Sequence, residues 1–224
     1  LGNMYGVDSL RGNDAGRIIA GAMGNSSTRL VRQSAASGAI DWAQPVGSTN
    51  SRINAIDVAA DGSIYAIEVN ASSSHLIKTA ADGTTIWQRA TNGYLTGILV
   101  DAAGRIFISG RGTSTPPGTS FENASPTPPT LVSDPVDQKT GFIVCYDADG
   151  NVQWSQLKGR TVVSVAAGAD SGHLCAAVNE GGENDPKATL IMIDSTSGAI
   201  TQSFSAGDAL GFFQVFTQVR FIDD

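Results

Sequence analysis

The chain has 224 residues, of which 41% are hydrophobic and 16% charged, with 26 Gly against 8 Phe, 4 Tyr and 3 Trp. That is enough apolar material for a sizeable core and too little charge for a disordered chain. A net charge of −7, with Lys and Arg scattered rather than clustered, would repel a phosphate backbone, so nucleic acid is not an expected partner. No apolar stretch approaches the roughly 18–20 residues that a membrane-spanning helix needs.

Two kinds of hairpin alternate along the chain, each an apolar strand, a Gly-containing turn and a second strand. The first unit, about 4–46, opens with VDSLRGNDAGRIIAGAMG from Val7, turning at Gly16. It continues with RLVRQSAASGAIDW from Arg29, turning at Gly38 and reaching Trp42. The second, about 52–90, has IDVAADGSIYAIEV from Ile56 with Gly62, then HLIKTAADGTTIW from His75 with Gly83 and Trp87. The third, about 95–158, has ILVDAAGRIFISG from Ile98 with Gly104, an inserted loop over 112–140, and FIVCYDADGNVQW from Phe142 with Gly150 and Trp154. The fourth, about 161–206, has VAAGADSGHLCAAV from Val165 with Gly172, then LIMIDSTSGAITQSF from Leu190 with Gly198. There Gln202 takes the Trp place and Phe204 follows. The tail over 209–224, ending in QVRFIDD, reads as the start of a fifth unit.

A unit of about 40–50 residues with two hairpins is the period of a four-stranded propeller blade. Period-two alternation in RIFISG and SIYAIEV fits strands. The glycines supply the φ > 0 that tight hairpins require, and the preceding Asp or Asn bonds back to the turn backbone. Trp42, Trp87, Trp154 and, in the last unit, Phe204 are expected to wedge between neighbouring sheets, since one sheet cannot bury both its faces alone. The expected fold is an all-β propeller of four-stranded antiparallel blades, about four plus the beginning of another. The chain starts at Leu1 rather than Met and its tail cannot complete a sheet, so a larger ring is expected.

The second hairpin, as SGAIDW, DGTTIW and DGNVQW and more loosely DSTSGAITQ, resembles the tryptophan-docking repeat of PQQ-like propellers. The first, with its D-x-x-G-x-I-[YF] pattern, looks like the repeats of bacterial β-propeller proteins. The resemblance spans nearly the whole chain and implies a scaffold rather than a chemistry. A quinoprotein dehydrogenase of this type would need a calcium site, a cation at the quinone and an Asp base. Arg105, Arg111 and Asp101 are the residue types available, each at an ordinary turn or strand end.

Other chemistry is sparse. His75 and His173 have no metal-ligand spacing, and there is no H-E-x-x-H, C-x-x-C or G-x-S-x-G. Asp147-Ala-Asp149-Gly-Asn151 resembles a truncated calcium loop, but the full loop needs further ligands and a bidentate acid downstream, and Trp154 and Ser155 follow instead. No cofactor is therefore expected. Cys145 and Cys175 read as small buried side chains, with a disulfide left open.

The loops joining second to third strands vary, over Gly24–Thr28, Asn70–Ser74, Gly112–Thr140 and Asn179–Ala188. Variable loops at one end of a rigid repeat are where binding usually resides. The 112–140 loop exceeds the ~12–15 residues common for unstructured connections. It is read either as a solvated flap or as an arm packing on a neighbour, with Pro116, Pro117, Phe121, Pro128 and Pro129 as candidate interaction residues. Asn25, Asn70 and Asn123 lie in Asn-x-Ser sequons on these loops. The functional expectation is a non-enzymatic binding or structural module of a secreted, cell-surface or virion protein, contacting protein subunits or a surface glycan. A quinoprotein-type dehydrogenase or other propeller enzyme is the alternative.

Overall fold

The computed structural model describes residues 7–12, 17–23, 28–34, 36–46, 51–70, 73–112, 119–124, 130–132, 140–167, 172–180 and 187–205. For 7–12, 17–23, 130–132 and 187 it describes the backbone alone. Gly16, Asn25, Pro116, Pro117, Pro128, Pro129 and the 209–224 tail lie outside the described residues. The chain divides into two compact units, Leu1–Thr91 and Asn92–Asp224.

In the first unit, β1 (Val7–Gly12), β2 (Arg17–Met23), β3 (Thr28–Ser34) and β4 (Ile40–Pro45) form an antiparallel sheet in chain order. A second meander follows from β5 (Arg52–Val58), β6 (Ile64–Val69), β7 (Ser74–Thr79) and β8 (Thr85–Thr91). Leu30 and Val46 pack with Ile53, Ile56, Ile64, Ala66 and Ile77 in one buried cluster, with Trp42 against it. The Thr28 hydroxyl donates to the Ser51 carbonyl at 2.6 Å beside this core.

In the second unit, β9 (Tyr94–Val100) and β10 (Ile106–Arg111) pair, and then the chain leaves the sheet. It makes a short hairpin, β11 (Thr119–Phe121) with β12 (Thr130–Val132), before returning as β13 (Gly141–Tyr146) and β14 (Val152–Leu157). Despite the excursion β13 pairs directly with β10, so the insertion leaves the four-stranded order intact. β15 (Thr161–Ala167), β16 (His173–Glu180), β17 (Lys187–Asp194) and β18 (Ile200–Ser205) make the last sheet. Phe107, Ile143 and Cys145 join Val162, Leu174, Ala176, Val178, Ile191 and Ile193 in its core.

Burial refines the alternation expected from sequence. β6 and β13 are buried along their whole length, and β10 is buried from Ile106 to Gly110. These inner strands have a paired neighbour on each side, and a strict in–out pattern does not hold along them. Glu68 and Ser109 are carried into the interior by the same geometry, both at 0% exposure.

Each sheet carries the same irregularity in its last strand pair. The register shifts between Arg32 and Gln33, Lys78 and Thr79, Cys145 and Tyr146, and Met192 and Ile193. Trp42 lies across from Arg32, Trp87 from Lys78, Trp154 from Cys145 and Gln202 from Met192. The residue before each is the unpaired bulge residue, which bends the strand and re-aims the next side chain. The Gly-x-x-x-Trp spacing is therefore a turn glycine at positive φ followed by a bulge. Ile86, at the bulge, is 54% exposed for this reason.

Candidate functional site

The turns are built alike. Gly62, Gly104, Gly83 and Gly150 have φ of 84°, 79°, 86° and 81°. Each donates its N–H to the carbonyl three residues back, at 2.9–3.0 Å. Gly38 and Gly198, at 67° and 73°, instead close five-residue turns onto Ser34 and Asp194. Asp61, Asp82, Asp101, Asp147 and Asp194 accept backbone N–H groups two residues on, as Asx-type turns do. Hydrogen bonds from Thr84 hold the Asp82 carboxyl below its ordinary range, and those from Ser197 do the same for Asp194. Gly172, the remaining described turn glycine, accepts the Ser195 N–H at 3.0 Å.

Two indoles dock onto such turns. Trp42 donates its Nε1–H to the Ala81 carbonyl at 3.1 Å, and Trp154 donates to the Ser195 carbonyl at 3.1 Å. A Cβ placed on Gly83 would lie 3.0 Å from Trp42 Cε3 and 2.6 Å from Gln44 Cγ. On Gly198 it would lie 2.6 Å from Trp154 Cδ2. These glycines thus serve twice, for the turn and as the floor beneath the ring. Trp87 meets Tyr65 edge-on at 6.0 Å and lies under the Arg89 guanidinium at 4.8 Å. Phe204 is different: it is 56% exposed on an exposed β18, so it is not wedged against a described sheet.

The polar residues considered for chemistry are engaged in packing. Arg105 pairs with Asp101 at 2.7 Å, reaches Ser195 Oγ at 2.9 Å and Thr196 Oγ1 at 3.2 Å, and lies over Phe107. It ties the third sheet to the last turn of the fourth. Arg111 is exposed and stacks over Tyr94. Asp147 accepts from the N–H of Asp149 and Asn151 and from the Asn151 and Gln153 amides, so its carboxylate is occupied by its own turn. No group of three or more His, Cys, Asp and Glu able to hold a metal occurs among the described residues. Cys145 and Cys175 are free and buried. Burial pushes the Cys145 thiol up to about 12, with Arg105 pulling the other way, and also raises that of Cys175. His173 is exposed.

The base of the 112–140 insertion contacts β13 and β14. Gly112 donates to the Thr140 carbonyl at 2.5 Å, closing the neck. Phe121 is fully buried and meets Phe142 edge-on at 4.8 Å and 76°. Gly93 leaves the room, since a Cβ there would lie 2.9 Å from both Phe142 and Thr119. The Asn123 side chain accepts the Val152 N–H at 2.9 Å, and Ala124 donates to the Gly150 carbonyl at 3.1 Å, satisfying backbone groups at the edge of β14. Phe121, expected among interaction residues, is therefore unavailable to a partner because it is the anchor of the arm. At the first sequon position of this arm, Asn123 serves as an edge cap. Asn70 likewise accepts the Ser73 N–H at 2.8 Å.

Sequence reasoning missed four features. Glu68, wholly buried, lies across from His75 with Oε2 and Nδ1 3.1 Å apart. Arg32 is buried and donates to the Ala81 carbonyl. Gly159 adopts φ 59° where a Cβ would meet Val178 and Glu180. Asn92 accepts the Ser120 N–H at the base of the arm. Glu68 could have been suspected as the charged residue inside an otherwise apolar strand.

No family model matches the chain, and no curated protein does. Solved structures do. A protein of unknown function from Bacteroides caccae is similar at 12% identity and TM-score 0.51, over 90% of this chain and 61% of that one. The Dos1 propeller is similar at 10% and 0.56, over 89% and 47%, and a protein from Lactobacillus plantarum at 11% and 0.53, over 92% and 56%. The chain spans less than two thirds of the length of each of these structures. Likeness at such identity concerns fold alone. With the four-stranded antiparallel meanders, it makes this an all-β chain with a propeller-type fold.

Proposed function

We propose that the four sheets are blades of a larger propeller ring with PQQ-like, tryptophan-docking repeats. In this reading the ring is a non-enzymatic binding or structural module of a secreted, cell-surface or virion protein. Its working end is the one bearing the loops between second and third strands, and its main contact element is the 112–140 arm. The partner is a protein subunit or a surface glycan.

The observation that carries this reading is the rooting of the arm. Phe121 buried on Phe142 and Asn123 capping β14 fix the base of an insertion that the sheet itself does not need, since β10 and β13 pair without it. An element held this way has its ordering cost met in advance, which favours binding through the remainder of the loop. The Asp101–Arg105 pair, the natural candidates for a quinone site in this chain, is used to join two sheets.

The test replaces residues 125–129 and 133–139 by Gly-Ser sequence, leaving 119–124 intact. Binding is then followed on glycan arrays and against co-encoded surface proteins. Loss of a wild-type signal with an unchanged unfolding midpoint supports the proposal. Dye reduction with an alcohol or sugar after adding pyrroloquinoline quinone and Ca²⁺ would overturn it in favour of a dehydrogenase.

A further inference from the structure

We propose that Asn92 is a self-catalysed deamidation site whose conversion loosens the 112–140 arm, whatever the arm binds. Asn92-Gly93 is the chain's single Asn-Gly dipeptide. Asn92 is exposed to water and Gly93 is buried. A Cβ at position 93 would lie 2.9 Å from Phe142 Cε1 and 2.9 Å from Thr119 Cγ2, so packing favours glycine there. A following residue without a side chain leaves its nitrogen unshielded, and the wide conformational range of glycine lets that nitrogen reach the Asn92 amide carbon.

In this step the Gly93 nitrogen bonds to Asn92 Cγ and the Cγ–Nδ2 bond breaks. The proton lost from the Gly93 N–H leaves with Nδ2 as ammonia, and water then opens the succinimide ring. Negative charge in the tetrahedral intermediate falls on Oδ1. That oxygen already accepts the Ser120 main-chain N–H at 2.9 Å. A donor fixed on the atom where charge develops lowers the barrier. Asn70 and Asn123 have the same kind of donor, from Ser73 at 2.8 Å and Val152 at 2.9 Å, but each is followed by alanine. Of these three, Asn92 combines the placed donor with the unshielded nitrogen.

The two products differ in what they do to the arm. Opening at the Cγ carbonyl gives aspartate, whose carboxylate can still accept from Ser120. Opening at the α-carbonyl gives isoaspartate, with an extra carbon in the main chain directly before Gly93. Gly93 is seated tightly against Phe142 and Thr119, and Phe142 is the ring that Phe121 meets at 4.8 Å. Lengthening the chain there displaces the acceptor of Ser120 and disturbs the seat of Phe121 together, so the isoaspartyl form loses both supports at the base of the arm.

The test incubates the full 224-residue chain at mildly alkaline pH and follows the amide-to-acid mass gain at Asn70, Asn92 and Asn123 by peptide mapping. Asn92 should convert clearly faster than the other two. Ser120→Pro, which removes the N–H, should slow conversion at Asn92 about tenfold, less than the roughly hundredfold of a water-excluded site because Asn92 is exposed. If that variant does not fold, Phe121→Ala takes its place: freeing the arm withdraws the donor and should slow conversion, whereas flexibility alone would speed it. Separated by chromatography, the isoaspartyl form should be cleaved within 112–140 severalfold faster than fresh chain, and Asn92→Asp at the fresh-chain rate. Conversion at Asn92 no faster than at Asn70 and Asn123 overturns the proposal. So does an unchanged or higher rate in the folded variant, or an isoaspartyl form cleaved no faster than fresh chain.

Discussion

Replacing Trp154 by Ala removes three things at once. These are the ring over Gly198, the tilted contact with Phe107 at 5.8 Å, and the Nε1–H donated to the Ser195 carbonyl. Truncating a core aromatic costs about 3–5 kcal/mol. Trp154 is only half-buried, which places it at the low end, and the lost hydrogen bond adds about 1 kcal/mol. The expected loss is roughly 3–4 kcal/mol, or a fall of about 1–2 M in the urea midpoint at the usual slope. Trp154→Phe, which keeps a ring but not the donor, should lose about 1–2 kcal/mol. Gln202→Ala, at the same position of the fourth sheet but exposed, should stay within about 0.5 kcal/mol. The measurement is urea unfolding followed by far-ultraviolet circular dichroism. If Trp154→Ala falls no further than Gln202→Ala, the indole does not hold the third and fourth sheets together and the docking argument fails.

Gly198→Ala and Gly104→Ala separate the two roles of the turn glycines. Both have positive φ, but a Cβ on Gly104 meets nothing within 4 Å, whereas on Gly198 it strikes Trp154. Thermal unfolding should show about 1–2 kcal/mol for Gly104, the cost of the backbone conformation alone, and clearly more for Gly198. In a Trp154→Ala background the Gly198 excess should vanish. Phe121→Ala should cost about 3–4 kcal/mol and expose the 112–140 segment to limited proteolysis, since the arm loses its anchor; unchanged cleavage would contradict this. Asp194 has a depressed pKa when folded, so its contribution is complete above the ordinary carboxylate range and is lost as pH falls through the lower folded value. Asp194→Asn should therefore flatten the acid limb of the stability profile, read as midpoint against pH.

The repeat, its glycine turns and its strands were legible in the sequence because each is a local requirement. Positive φ needs Gly, an Asx turn needs Asp two residues before its donor, and a four-stranded meander needs apolar runs at short intervals. The paired hairpins around Gly62 and Gly83 could be read this way, as could the insertion between β10 and β13. What Trp42 and Trp154 rest on could not, because each docks on a turn about 40 residues further along the chain. Phe121 looked like a contact residue in a proline-rich loop, and only its approach to Phe142 makes it an anchor. Glu68 and His75 likewise became a pair, the carboxylate buried and the imidazole half-buried, when β6 and β7 aligned them. Where the described strands turn thus follows from local residue chemistry alone. Tertiary structure decided which side chains face a neighbour and which, like Phe204, face outward, because burial depends on what the next sheet places there.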